Sequence, residues 1–387
     1  MNTINILHIA SFNGNIGDNA NHNGLRNKLE KILFPKRLNF KEIEMREFYQ
    51  SWNLRDFNSN AFIELCNEYH LVIIGGGNFF ELKWDYSFTG TTINISKETL
   101  LKISTPILFF GLGCDIAKGA SENAIYKFDE FLSNVTSSDN YLVSVRNDGS
   151  YQTLQSLYGT KYNDKIYRIA DGAFFMTTDT YDFPELQCNY QSIGINIARD
   201  MESIRFNKNI TYKEFINGFS TVLDTFLENN KWYQIILIPH IYSDLTAISD
   251  LLNYLNDKHR RTRVKVAPYL TGRGSESYIF GLYQQCKCIL GMRFHSNVCA
   301  IAHNIPTIAL SSYKKINDLY RELSLEDRLV NVNERGFEEV LLSKLNNTLK
   351  TLTTLSNEYA YKNEQLKKQN DSFYCDLKNW LERKGIL

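Results

Sequence analysis

The sequence predicts an α/β protein of two doubly wound domains with a helical extension at the C-terminus. Three observations predict it. Short apolar runs alternate with amphipathic stretches along most of the chain, as parallel strands covered by helices on both faces require. Several of those runs end directly in glycine, at Gly75, Gly111 and Gly291. The chain has 387 residues, more than one hydrophobic core usually serves.

The elements follow in order. From Met1 the chain goes straight into a first strand, residues 4–10, without the basic flank and apolar core of a leader peptide. A loop through Gly14 and Gly17 leads to a helix over residues 18–33. Residues 39–48 read as a weaker strand and 57–69 as a helix. Buried strands follow at 71–74, 106–110 and 141–145, the last running into Arg146. The second half repeats the style, with strands at 192–198, 234–238, 264–268, 288–291 and 307–310. Its helices fall at 211–228, 244–256, 275–285, 296–303 and 315–323. A polar and aromatic stretch with Pro184, residues 176–191, reads as the junction. The domains are therefore placed at 1–180 and 181–335, and residues 336–387 as a polar helical region that caps the fold and crosses back to the first domain.

Lys plus Arg equal Asp plus Glu, and no long like-charge run occurs, so nucleic acid is not an expected partner. An anionic ligand must be held by a local constellation. Seven cysteines are present, and only Cys286 and Cys288 lie close together. That pattern predicts reduced thiols, a cytoplasmic setting and no metal site. No stretch approaches the ~20 apolar residues of a membrane span.

The most informative block is Gly291-Met292-Arg293-Phe294-His295. A strand, a tight turn and a helix place Arg293 and His295 where open α/β sheets hold ligands, beyond the carboxyl ends of strands. The plainer alternative is an exposed Arg and a helix-capping His, and a structural ion pair of Arg293 with Asp318 is a further one. Gly17, Asp18 and Asn19 open the first helix, where free N–H groups suit an anion. A plain turn capped by Asp18 or Asn19 reads equally well. The third Gly of a dinucleotide fingerprint is missing. Gly75, Gly76, Gly77 and Asn78 read as a ligand-facing loop, since consecutive glycines are costly without a backbone need. Arg146 is either a site cation or the partner of Asp148 or Asp171. Arg199 ends a strand, and His240 precedes Asp244. Trp84, Tyr86 and Phe88 read first as core and second as a platform for a sugar ring.

These segments resemble the polysaccharide pyruvyl transferase family. The similarity runs through residues 14–20, 75–80, 111–113 and 144–150, then Ile238, Pro239, His240 and Asp244, then 291–308 with Tyr313 and Lys315. The Gly-x-Arg-Phe-His block, with the Ala-rich helix, Ile305-Pro306, Tyr and Lys after it, is the most specific part. Asn147 stands where the family usually has an acidic residue. The Tyr-to-Lys spacing is one residue shorter than in the family, which leaves Lys314 as a rival to Lys315. The C-terminal region has no counterpart.

The resemblance implies two Rossmann-like domains facing across a cleft, as in glycosyltransferase-B-like enzymes. It implies transfer of pyruvate from phosphoenolpyruvate to a sugar of a cell-surface or exopolysaccharide precursor. A pyruvyl ketal forms, phosphate is released, and no cofactor or metal is needed. His295 would transfer protons; Arg293, Arg146 and Lys315 would hold the donor's carboxylate and phosphate. Gly17, Asp18, Asn19, Gly76, Gly77 and Asn78 would line the acceptor side. Arg199 and His240 complete the binding set, and Asp200 or His240 are further candidates for acid–base work. The implied partners are phosphoenolpyruvate and a saccharide acceptor; a lipid-linked acceptor would bring the protein to the inner face of the membrane. Two alternatives remain: a nucleotide-sugar glycosyltransferase of the same architecture, and a non-enzymatic ligand-binding protein with this fold.

Overall fold

The computed structural model describes residues 3–206 and 209–387. Met1, from which the sequence reading started, lies outside them. The chain forms two compact units.

The first unit is built on strands β1 (Thr3–Ala10), β2 (Arg37–Glu44), β3 (Leu71–Gly75), β4 (Ile107–Leu112), β5 (Tyr141–Arg146) and β6 (Tyr167–Ile169). They lie in the order β2-β1-β3-β4-β5-β6, all parallel. The second unit carries β7 (Gln191–Asn196), β8 (Tyr233–Leu237), β9 (Val264–Val266), β10 (Cys286–Gly291), β11 (Thr307–Ser311) and β12 (Leu329–Asn331). Their order is β9-β8-β7-β10-β11-β12, also all parallel. This is the arrangement of doubly wound, Rossmann-like sheets, in which ligands bind where the strand order reverses. The reversal falls between β1 and β3 in the first sheet, and between β7 and β10 in the second.

Burial explains the sequence pattern. Every residue of β3, β4 and β11 is buried, so those strands are continuous apolar runs rather than alternating ones. The edge strand β2 has exposed and half-buried positions along most of its length and gave only a weak signal. Helix Tyr212–Asn229 starts in a reciprocal cap between Thr211 and Glu214. It then sets Phe215, Phe219, Val222 and Phe226 on the sheet at helical spacing. Strands β6 and β12 were missed because three residues are too few to show a period.

Contacts divide the chain differently from its linear order. The first unit comprises Met1–Phe12, Asn21–Gly172 and Leu366–Leu387; the second comprises Asn13–Ala20 and Ala173–Gln365. The loop after β1 belongs to the second unit because its hydrogen bonds are there. Ile16 N donates to His240 O (3.4 Å) and Asn19 Nδ2 to Gly272 O (3.0 Å). Nor does the stretch 336–387 stand alone. Helix Phe337–Lys350 buries Phe337, Leu341 and Leu345 in the second core. In helix Leu352–Arg383, Asn363 donates to Ile301 O (2.6 Å) within the second unit. Farther along, Trp380 Nε1 donates to Asp139 O (2.8 Å) within the first. Such polar-to-backbone bonds carry no sequence period, so composition alone showed only a polar helix.

Tyr86 is 43% and Phe88 59% exposed, so neither belongs to the core as first read. They sit on a loop whose interior is filled by hydroxyl bonds, Thr89 Oγ1 meeting Thr91 Oγ1 at 2.8 Å and donating to Ile93 O at 2.7 Å. That polar filling leaves the aromatic rings outside. Among the described residues no helix is long and apolar enough to cross a membrane.

Candidate active site

At the second sheet's reversal point, Asn196 ends β7 and Gly291 ends β10. Asn196 ties the neighbouring strand ends together. Its backbone carbonyl accepts from Met292 N (3.0 Å) and its side-chain carbonyl from Arg293 N (3.1 Å). Its amide donates to Ile238 O (3.0 Å) and to Asp244 Oδ2 (3.2 Å).

The Arg293 guanidinium is held by two carboxylates. Nε donates to both oxygens of Asp244 at 2.9 and 2.8 Å, and Nη2 to Asp200 Oδ1 at 2.9 Å. Asp244 also accepts from His240 N (2.9 Å) and Ile241 N (3.3 Å). Burial opposes charge on Arg293, but Asp244 and Asp200 more than offset it and hold the guanidinium above its ordinary range. Arg205 donates to Asp200 O (3.0 Å) and Ser312 Oγ (3.0 Å). Burial, then the charge of Arg293, pulls Arg205 down to about 10. Two guanidiniums thus face two carboxylates, which keeps the group neutral in a dry setting. The sequence suggestion of an Arg293–Asp318 pair is not what forms: Asp318 pairs with Arg321 at 2.8 Å.

His295 lies in the first turn of helix Phe294–Ala302 and is 6% exposed. The loop after β1 packs directly on its ring. A Cβ built on Gly17 would fall 2.4 Å from His295 Nδ1, so only glycine fits there. Asp18 Oδ1 lies 3.9 Å from the same nitrogen. Beside His295, Ser296 Oγ meets Tyr283 Oη at 3.0 Å, and Tyr283 Oη meets His240 Nε2 at 2.8 Å. Asn297 locks the turn by donating to Gly291 O (3.0 Å) and Arg293 O (2.8 Å). Lys315 is buried at the start of helix Lys314–Glu322, just beyond β11, while its rival Lys314 is exposed.

The first unit gathers a second polar group at the carboxyl ends of its strands. Gly76 adopts φ +80°, a conformation that side chains rarely take, and lies against Asn21 and His22. Gly113 N donates to Gly77 O (2.9 Å). A Cβ on Gly113 would fall 2.6 Å from Asn78 Oδ1 and 3.1 Å from Arg146 Nη2, which places those two side chains side by side. Arg146 Nε donates to Asp148 (2.8 Å) and Nη1 to Asp171 (3.1 Å). Asn147, the departure from the family pattern, accepts from Asp171 N (2.9 Å).

The structure therefore brings His295, Arg293, His240, Gly17 and Asp18 together in the second unit, with Asn19 bound to the Gly272 loop. Arg146, Gly76, Gly77 and Asn78 gather in the first. Gly17 and Asp18, which the sequence groups with the Gly76 loop on the acceptor side, lie against His295. Arg199 turns toward Glu202 (3.2 Å) and Asp250 (3.1 Å), over the Tyr212 ring, and not toward His295. Asp200, an acid–base candidate from the sequence, is an ion-pair partner of Arg293. Arg205 and Tyr283 carry no signal in the sequence: one ends a four-residue helix, Glu202–Arg205, too short to show a period, and the other has the helical spacing of core. Among the described residues no group of three or more His, Cys, Asp or Glu is placed to hold a metal ion.

His240 and His8, the latter in β1, are fully buried. Burial, then Arg293 and His295, holds His240 well below 6.5; burial, then His22 and Arg26, does the same for His8. The unfolded chain takes up these protons below about pH 6.5 while the folded protein does not. Stability is therefore full above that pH and falls on acidification, by about 1.4 kcal/mol per pH unit for each histidine. Urea unfolding at about pH 7.5 and about pH 5.5 is expected to show this loss, reduced in His8→Gln; equal midpoints would contradict it.

The family model for polysaccharide pyruvyl transferase matches residues 11–313. No curated protein matches the chain in sequence. Among solved structures, the S. aureus MnaA–UDP complex is similar with TM-score 0.55 and 11% identity, over 97% of each chain. UDP-GlcNAc 2-epimerase from Neisseria meningitidis bound to UDP-GlcNAc gives 0.53 and 13%, over 94% of this chain and 100% of that one. The N-terminal domain of Candida albicans trehalose-6-phosphate phosphatase gives 0.53 and 13%, over 97% and 99%. At these identities the likeness is one of fold.

Proposed function

The chain belongs to the polysaccharide pyruvyl transferase family, and from that premise we propose that it moves pyruvate from phosphoenolpyruvate onto two hydroxyls of a saccharide, releasing phosphate. The observation that supports this most is His295, held in a rigid turn at the reversal point of the second sheet, where such folds bind ligands.

The chemistry needs a proton carrier beside an anion site. The methylene carbon of phosphoenolpyruvate gains a proton, leaving an oxocarbenium-like carbon. A sugar hydroxyl attacks that carbon as it loses its own proton. The carbon–oxygen bond to phosphate breaks, and a second hydroxyl closes the ketal, its proton leaving with phosphate. One imidazole serves as acid and then base near neutral pH. Lys315 is assigned to the donor's anionic groups, which it meets as a compact positive charge. Arg293 is already committed to Asp200 and Asp244, so its part is to fix the turn that carries His295.

Phosphate release from phosphoenolpyruvate in the presence of lipid-linked or free oligosaccharide tests the reading. Consumption of a sugar nucleotide instead would favour a glycosyltransferase, and turnover of neither a binding protein. Lys315→Met is expected to raise the phosphoenolpyruvate concentration needed by roughly ten- to a hundredfold, the worth of one charge-assisted hydrogen bond. An unchanged donor titration would remove Lys315 from the site.

A further inference from the structure

We propose that Asp18 is a positioning residue for His295, acting with Gly17 to present the imidazole in one orientation and one tautomer. The proposal rests on the proton-transfer role of His295 given above.

The observations come from remote parts of the sequence. Residues 13–20 leave the first unit's β1, yet count with the second unit by their contacts. The loop is pinned at several points. Asn15 Oδ1 accepts from Gly17 N (3.0 Å), Ile16 N donates to His240 O (3.4 Å), and Asn19 Nδ2 donates to Gly272 O (3.0 Å). Gly17 lies against the Cβ, Cγ and Nδ1 atoms of His295, so the ring cannot swing toward it. Asp18 sits in the first turn of helix Ile16–Ile32. Its side chain is 14% exposed, with Oδ1 3.9 Å from Nδ1. That is ion-pair distance.

A carboxylate on the Nδ1 side favours the tautomer with the proton on Nδ1, which leaves the buried Nε2 as the basic nitrogen. Asp18 needs no contact with substrate for this effect, unlike the binding role the sequence suggests for it.

The test measures kcat and the KM for phosphoenolpyruvate in the full-length protein with Asp18→Asn, Asp18→Glu, His295→Ala and the double variant Asp18→Asn/His295→Ala. Asp18→Asn keeps the side-chain shape. It is expected to lower kcat by roughly 10- to 10³-fold with KM within about threefold of wild type. Asp18→Glu is expected to recover part of that loss. In the His295→Ala background Asp18→Asn should have no further effect, because a positioning group has nothing left to position. Wild-type kcat in Asp18→Asn, a loss confined to KM, or a fully additive loss in the double variant would each overturn the proposal. Wild-type kcat in His295→Ala would instead overturn the proton-transfer reading itself, and this proposal with it. A thermal midpoint of Asp18→Asn close to wild type is expected; a midpoint lowered in step with kcat would assign the loss to folding and overturn the proposal.

Discussion

Replacing His295 with alanine is expected to lower kcat by ~10²- to 10⁴-fold while leaving the affinity for phosphoenolpyruvate nearly unchanged. A proton-transfer group acts in the transition state, so its removal is felt in turnover more than in ground-state binding. The surroundings make the variant a clean one. The turn that carries the residue is fixed by Asn297, which bonds to Gly291 O and Arg293 O, and by Ser296 against Tyr283. None of those bonds uses the His295 ring, so the helix start should survive its loss. Single-turnover phosphate release together with a binding titration for phosphoenolpyruvate checks both halves. Turnover at the wild-type level would make His295 a packing residue and remove the centre of the proposed mechanism. A loss of affinity alone would make it a ligand for the donor anion.

The second large effect concerns stability. Arg293→Met is expected to destabilise the fold by about 3–5 kcal/mol, because it leaves buried charge without its partner. The charge at issue is Asp244, whose side chain is fully buried and grips Arg293 through both oxygens. Two backbone N–H groups and the Asn196 amide would still reach Asp244, but none of them carries charge. Arg293→Lys should be damaging too, since an ammonium cannot reproduce paired bonds to Asp244 and a further bond to Asp200. The double variant Arg293→Met/Asp244→Leu should regain much of the loss, as buried pairs replaced together often do. Urea unfolding of the three variants measures this. A loss under about 1 kcal/mol in Arg293→Met would mean that the pair is well solvated, and would return Arg293 to the role of a direct donor ligand.

The sequence by itself determined the class of fold and the blocks that bear chemistry. Parallel strands covered on both faces must be apolar throughout and must be separated by helices, so β3, β4, β10 and β11 announced themselves. Gly291 to His295 was legible for the same reason: an apolar run, a glycine and a helix start put Arg293 and His295 at a strand's carboxyl end whatever the rest of the chain does. Tertiary structure alone decided who meets whom. Nothing local shows that Arg293 belongs to Asp200 and Asp244 rather than Asp318, because an ion pair depends on distance in space and the three aspartates are equivalent in sequence. Nothing local shows that Arg205 is buried, since its helix, Glu202–Arg205, is too short to show a period. The loop holding Gly17 and Asp18 reads as an ordinary β-to-α connection of the first unit. Its hydrogen bonds to His240 and Gly272 carry it to the second unit and set it against His295. Short-range pattern fixes the elements because backbone periodicity is local, whereas the partners of Arg293 are set by packing between segments 49 and 93 residues apart.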